Sequence, residues 1–151
     1  SYSWVRASCK EAQLVSTMDG DIWVHLGNLI QVLKDAPKKR CYIGRTATQK
    51  LGPSRYYKNT VRYTPNDYPS RMIRFNYGAG NALSRDIIPF INIGTLYTDY
   101  VFPALEDVYI ASILSLAGIY PVTAGNFLVF KSFPNSTVSS RAVFIHESTL
   151  E

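Results

Sequence analysis

Cysteine, histidine and unbroken apolar stretches are scarce in this chain, and each scarcity removes a class of protein. The two cysteines in its 151 residues, Cys9 and Cys41, lack the paired spacing of a zinc site, which excludes a cysteine-built metal module. They read as buried thiols or, in a secretory setting, as one disulfide. No apolar run approaches the about 20 residues that a membrane-spanning helix requires. The opening residues, Ser1-Tyr2-Ser3-Trp4-Val5-Arg6, show neither an initiator methionine nor the charged-then-apolar layout of a signal peptide, so the natural start is expected upstream. Internal repeats, low-complexity tracts and linkers are missing too, which leaves residues 1–151 as one unit.

What is present is an ordinary globular composition. Hydrophobic residues make up 46% of the chain, spread evenly between Gly and Pro, enough for a core and too much for disorder. Sixteen Lys and Arg against eleven Asp and Glu give a net charge of +5, which suits phosphate-bearing partners. The basic residues concentrate between Lys34 and Arg74, without an aromatic RNA-binding signature or a DNA-reading helix. That face therefore reads as solvated loop, and nucleic acid is not an expected partner. Asn135-Ser136-Thr137 is an N-glycosylation sequon, meaningful only in a secretory setting.

Periodicity gives a mixed α/β pattern. Residues 4–12 carry helix-compatible apolar positions, and Leu14-Val15-Ser16-Thr17-Met18 reads as a short strand ending on an acidic turn. Leu26, Leu29, Ile30 and Leu33 fall at helical spacing, predicting a helix over residues 26–36 with Pro37 as its stop. The stretch 36–76, rich in Pro, Tyr and basic residues, reads as long loops with short strands, Cys41-Tyr42-Ile43 among them. A helix is expected over residues 82–93, entered from a Gly78-Ala79-Gly80 turn, and another over 106–117 with Gly118 as its C-cap. Residues 119–122, 128–131 and 141–145 follow as β-like runs.

Four groups of residues are suited to chemistry. Asp19-Gly20-Asp21 puts two carboxylates one residue apart at a strand end. Their oxygens suit a hard divalent cation, Mg²⁺ or Mn²⁺, whose shell substrate phosphates would complete. The same tripeptide is also common solvent-facing turn chemistry. Glu106-Asp107 opens an apolar helix, where the N-terminal field is expected to keep a carboxylate ionised, and an ionised carboxylate aimed at a hydroxyl is a general base. Acids in that position also serve simply to complement the helix dipole. In Tyr77-Gly78-Ala79-Gly80-Asn81 the glycines permit a tight turn and close approach to a ligand. His146, after Ala142-Val143-Phe144-Ile145, is either an imidazole ligand or a strand-end histidine, whereas His25 beside Trp23 at a helix start reads as structural.

Taken in order, these pieces resemble the β-1,3-glycosyltransferase family that includes the β-1,3-galactosyltransferases and β-1,3-N-acetylglucosaminyltransferases and is related to Fringe. Trp4-Val5, Cys9 and Ala12 before Met18-Asp19-Gly20-Asp21-Ile22-Trp23-Val24, with Asn28-Leu29 after it, look like the helix and strand leading into the family's DxD motif. Gly44, Arg62-Tyr63-Thr64-Pro65 and Tyr68-Pro69 look like its next landmarks. Gly78-Ala79-Gly80 with Leu83-Ser84-Arg85-Asp86 is similar to its glycine turn and following helix, and Glu106-Asp107-Val108-Tyr109 with Gly118-Ile119 to its Glu-Asp-Val motif.

The resemblance implies a GT-A fold, an α/β nucleotide-diphospho-sugar transferase of which this chain is the C-terminal portion with a mixed sheet. It implies a UDP-sugar donor, a glycan acceptor on glycoprotein or glycolipid, transfer of galactose or N-acetylglucosamine in β-1,3 linkage with inversion, and lumenal placement at the Golgi membrane through an anchor absent from this chain. Asp19 and Asp21 would hold Mn²⁺ or Mg²⁺, with His146 as a further ligand. Asp107 would be the base, Glu106 would support it or bind acceptor, and Tyr63, Tyr77, Gly78, Ala79 and Gly80 would contact substrate. The chain departs from the family pattern in beginning at the Trp4 helix without the preceding nucleotide-binding segment. It also has Phe75-Asn76-Tyr77 before the glycines and Asn81 where an aromatic is common, and its stretch from Tyr68-Pro69 to the glycines is longer. The competing expectation is a carbohydrate- or nucleotide-binding module of the same fold without transfer.

Overall fold

A computed structural model describes residues 2–50, 72–97, 106–124, 127–130 and 143–146. In chain order the elements are α1 (Tyr2–Ser8), β1 (Leu14–Met18), β2 (Ile22–Val24), α2 (Leu26–Asp35), β3 (Tyr42–Lys50), β4 (Met72–Ser84), α3 (Ile88–Tyr97), α4 (Glu106–Leu116), β5 (Val122–Thr123), β6 (Leu128–Phe130) and β7 (Phe144–His146). The strands form two sheets among the described residues. One has the order β1-β4-β3-β5, antiparallel except for the parallel β3–β5 pair; the other has the order β2-β7-β6, with β6 and β7 parallel. The expected mixed α/β architecture is present.

The central strand β4 separates two apolar layers. Leu83 joins Tyr42, Ile91, Val108 and Leu114 beneath α3 and α4, whereas its neighbour Ala82 joins Phe127, Phe144 and Leu29 of α2. Successive residues of a strand point to opposite faces, so one strand serves both cores. Helix α4 is apolar nearly all round, with Val108, Ile110, Ala111, Ile113 and Leu114 buried, as befits a helix enclosed between sheet and α3. Its end is a Schellman cap: Ile119 N–H donates to the Leu114 carbonyl (2.9 Å), Gly118 N–H to Ser115 (3.0 Å), and Gly118 takes a φ of 68°. Arg40 donates from Nη2 to the carbonyls of Ala117 (3.0 Å) and Gly118 (3.2 Å). Its own left-handed backbone (φ 50°) is held by the Asp86 carboxylate, which accepts the Arg40 N–H. The C-terminal end of α4 is thereby tied to the start of β3.

Several expectations are corrected. The first helix ends at Ser8 rather than at residue 12. The stretch expected to be mostly loop contains the nine-residue strand β3. The helix expected over 82–93 is instead strand to Ser84, a 3₁₀ turn over Arg85–Ile87, and then α3 to Tyr97. Pairing of Ala82, Leu83 and Ser84 with Ser16, Val15 and Leu14 of β1 overrides their helical propensity, and Pro89 fits only the first turn of a helix. The cysteines are free, with Cys41 buried and its thiol pushed up chiefly by burial. The helix over Leu26–Asp35 matches its expectation; His25 caps it, Nδ1 accepting from Asn28 N–H at 3.2 Å, and Ala36 turns extended before Pro37.

The Gly78-Ala79-Gly80 turn is also corrected, since all three residues lie within β4. Between the pairs Gly44↔Asn81 and Thr46↔Asn76, the single β3 residue Arg45 lies opposite Tyr77–Gly80 of β4, an irregular bulge. The two glycines in it differ. A Cβ on Gly80 would meet Phe144 Cδ2 of β7 at 2.6 Å, whereas one on Gly78 would sit 3.5 Å from Asp107 Cβ, an ordinary contact. Gly80→Ala should therefore lower unfolding free energy by about 1–3 kcal/mol in chemical denaturation, the usual effect of overpacking, while Gly78→Ala leaves it nearly unchanged. Equal effects of the two substitutions would contradict this packing account.

Candidate active site

A cleft of about 800 Å³ opens where β1 and the β4 bulge meet α1, α3 and the first turn of α4. Asp19, Tyr77, Gly78, Ala79, Glu106 and Asp107 are among its walls. Residues far apart in sequence reach it for separate reasons. Asp19 follows the last residue of β1, its N–H donating to the Ala79 carbonyl at 3.4 Å, so the acidic turn is moored to the bulge. Glu106 and Asp107 are the first residues of α4, whose far end Arg40 pins.

Asp107 is the most constrained of these groups. Its Oδ2 accepts the Gly78 N–H at 3.3 Å across the cleft wall, and its Oδ1 accepts the Val108 N–H at 2.8 Å. Burial raises the carboxyl above its ordinary value; the N–H groups of Val108, Gly78 and Asp107 itself oppose that shift, and the nearby Asp19 charge adds to it. Desolvation therefore sets the direction of the shift against the backbone donors at the helix start. A carboxylate made more basic while still aimed by two backbone donors is better matched to proton abstraction than an exposed one. Glu106 beside it is exposed at the rim.

The other anticipated residues divide. Asp19 and Asp21 both lie in the exposed turn between β1 and β2, but only Asp19 is a wall of the cleft. His146 is opposite Ile22 in the β2–β7 register, so the backbone brings it one position from Asp21. Tyr77 is half-buried, edge-on to Phe75 (5.7 Å between centroids) and under the Arg45 guanidinium at 5.9 Å. Ala79 is buried, and Gly80 faces Phe144 on the other side of the sheet, outside the cleft. Tyr63, Arg62, Pro65 and the sequon at Asn135 lie outside the described residues. No group of three or more His, Cys, Asp or Glu side chains gathers among the described residues. The turn nonetheless offers two carboxylates, the donor set that a hard cation takes when phosphate oxygens supply the rest.

Of the wall residues that the sequence did not single out as site residues, Tyr2, Ser16, Thr17 and Asn81 carry polar groups next to the acidic turn and the bulge. Ser16 and Thr17 interrupt an apolar strand next to the acidic turn, which was the available signal. Burial raises the Tyr2 hydroxyl, which is hydrogen-bonded to Thr17 and feels the Glu106 charge.

Compared with known proteins, residues 2–124 match the galactosyltransferase family model. The chain is 30% identical to beta-1,3-galactosyltransferase 1 of Mus musculus and of Homo sapiens, over 98% of this chain and 45% of either relative. It is 27% identical to lactosylceramide 1,3-N-acetyl-beta-D-glucosaminyltransferase A of Xenopus laevis, over 80% of this chain and 32% of that protein. The chain thus spans less than half the length of the curated relatives it matches.

The Asp107 environment makes a prediction that needs no substrate. In a ¹³C-carboxyl NMR titration Asp107 should titrate above the ordinary aspartate value of about 3.9, and Asp19→Asn should move it back down. The folded state then binds this proton more tightly than the unfolded one, so Asp107 favours folding below its ordinary value and loses that contribution as pH rises through its raised value. Asp107→Asn should flatten stability across that window. A titration at or below the ordinary value would contradict the assigned desolvation.

Proposed function

The chain belongs to the galactosyltransferase family, and from that premise we propose that it carries the acid–base and metal-binding side of an inverting, UDP-sugar-dependent glycosyltransferase of GT-A type. The observation that supports this best is the half-buried Asp107 carboxylate, anchored by the Gly78 N–H in the same cleft wall as Asp19. A binding module of the same fold has no use for a carboxylate with raised basicity at that place.

In this reading the donor is a UDP-hexose, galactose or N-acetylglucosamine, and the acceptor is a glycan hydroxyl joined in β-1,3 linkage. Asp19 and Asp21, with His146 as a further ligand, would hold Mn²⁺ or Mg²⁺. When bound, the cation supplies neutralisation of the diphosphate charge as UDP departs. The acceptor oxygen bonds to the anomeric carbon from the face opposite the diphosphate as the bond to UDP breaks, and the hydroxyl proton passes to Asp107 Oδ2 or Oδ1. The N–H groups of Gly78 and Val108 keep that carboxylate from turning away. Glu106 at the rim accepts hydrogen bonds from acceptor hydroxyls, and the Tyr77 ring offers an apolar surface to a sugar face. A lumenal Golgi setting accords with the glycan-building names of the relatives, and no helix among the described residues is long and apolar enough to cross a membrane.

The test uses the full-length protein with Mn²⁺ and either UDP-galactose or UDP-N-acetylglucosamine. Asp107→Asn should lower kcat by about 10²–10⁴-fold, the size of general-base catalysis, while metal-dependent UDP binding persists; Asp19→Asn should weaken that binding. kcat/KM of the wild type should rise with pH on an acid limb set by the raised Asp107 value. Full activity of Asp107→Asn would remove it as base, and metal-dependent UDP-sugar binding without turnover in the wild type would replace transfer by binding.

A further inference from the structure

Asn81 sits in the floor of the cleft, 5% exposed, and its side chain is held on one side only. It lies directly opposite Thr17 in the β1–β4 register. The Thr17 hydroxyl donates to Asn81 Oδ1 at 2.9 Å, and the Ser16 hydroxyl donates to the Asn81 main-chain oxygen at 2.9 Å. Thr17 is in turn hydrogen-bonded to the Tyr2 hydroxyl. These bonds set the amide: its oxygen is satisfied within the strand pair, and its Nδ2, with two N–H donors, has no partner among the described residues.

Nδ2 is not one of the fully buried polar atoms left without a partner, which among the described residues belong to Asn76 and Arg85, and it opens to the cleft. The neighbouring positions on the same face of β4 take the other course, since Leu83 is packed into the apolar layer. A polar group in that row, fixed by a strand partner and open to a cleft, is in the condition of a binding group whose partner arrives from outside. The partner must present an oxygen that accepts. Asp19, just past the end of β1, is two residues on from Thr17, and Asp107 shares the cleft, so whatever reaches Asn81 lies beside the proposed transfer centre.

Resting on the transferase reading, we infer that Asn81, oriented by Thr17, is a specificity-determining residue of the cleft. Its Nδ2 donates to an oxygen of a bound pyranose, either a hydroxyl or an acetamido carbonyl. The sugar belongs to the donor or to the acceptor, and the same chemistry serves both.

The experiment compares full-length wild type, Asn81→Asp, which keeps the shape and exchanges the donor for an acceptor, and Thr17→Val, which frees the amide. KM is measured for UDP-sugar and for acceptor glycoside, each with its monodeoxy analogues. Asn81→Asp should raise the KM of one substrate at least tenfold while that of the other holds. The substrate affected identifies the sugar. The deoxy analogue lacking the contacted oxygen should be penalised by wild type and not by Asn81→Asp, and Thr17→Val should give a smaller loss on the same substrate. Unchanged KM values, or a deoxy penalty that persists in Asn81→Asp, overturn the assignment. If wild type transfers nothing, the transferase reading fails on its own. Calorimetric binding of UDP-galactose, UDP-N-acetylglucosamine and the methyl glycosides then decides Asn81: a tenfold weakening of one ligand in Asn81→Asp supports it, and equal binding refutes it. If Asn81→Asp does not fold, Thr17→Val is measured in its place: a loss confined to one substrate supports the assignment, and unchanged values for both refute it.

Discussion

One hydrogen bond, from the Gly78 N–H to Asp107 Oδ2, ties the two halves of the site together. It exists because β4 bulges: in a regular ladder that N–H would be spent on a neighbouring strand rather than on the first turn of α4. The bulge in turn persists because Gly80 lets Phe144 lie against the strand and because β1 and β3 grip β4 on both sides. Asp19 depends on the same feature through its bond to the Ala79 carbonyl. A shift of this segment by one residue would exchange the faces of Ala79, Gly80 and Asn81 and dismantle the apolar layers together with the cleft.

The electrostatics follow from this placement. Asp107 sits where an acid is commonly found, at a helix start, but the packing that brings it to the cleft also removes water from it, and the desolvation outweighs the backbone donors there. Exposed Asp19 and Asp21 have no such restriction and remain suited to a cation. Under the proposed function this divides the carboxylates between proton transfer at Asp107 and charge neutralisation at the Asp19 turn, both on one cleft wall.

Local signals in the sequence were good guides where local forces decide. The capped helix over Leu26–Asp35, the strand Leu14–Met18 ending on Asp19, and the α4 start at Glu106 with its Gly118 cap were all legible, because caps, breakers and 3.6-residue spacing act within a few residues. The glycine segment was not. Tyr77–Gly80 reads as a turn by composition, and only the distant partners Met18, Asp19 and the β3 strand make it a bulged strand. Asn81 was hidden for the same reason: as a residue beside a glycine pair it means little, and its role comes from Thr17 across the ladder. The raised Asp107 value was likewise out of reach, since burial is a property of packing and the helix field is a property of position.

The central proposal is that Asp19 and Asp107, moored to adjacent residues of the β4 bulge, serve one reaction in one cleft. The most direct measurement is a crystal structure of the full-length protein with Mn²⁺, UDP and an acceptor glycoside, with the manganese located by anomalous scattering. The account predicts manganese at the Asp19-Gly20-Asp21 turn on the diphosphate, and the acceptor hydroxyl within hydrogen-bond reach of Asp107. Manganese and UDP bound away from that turn, or an acceptor hydroxyl facing another group, would contradict it.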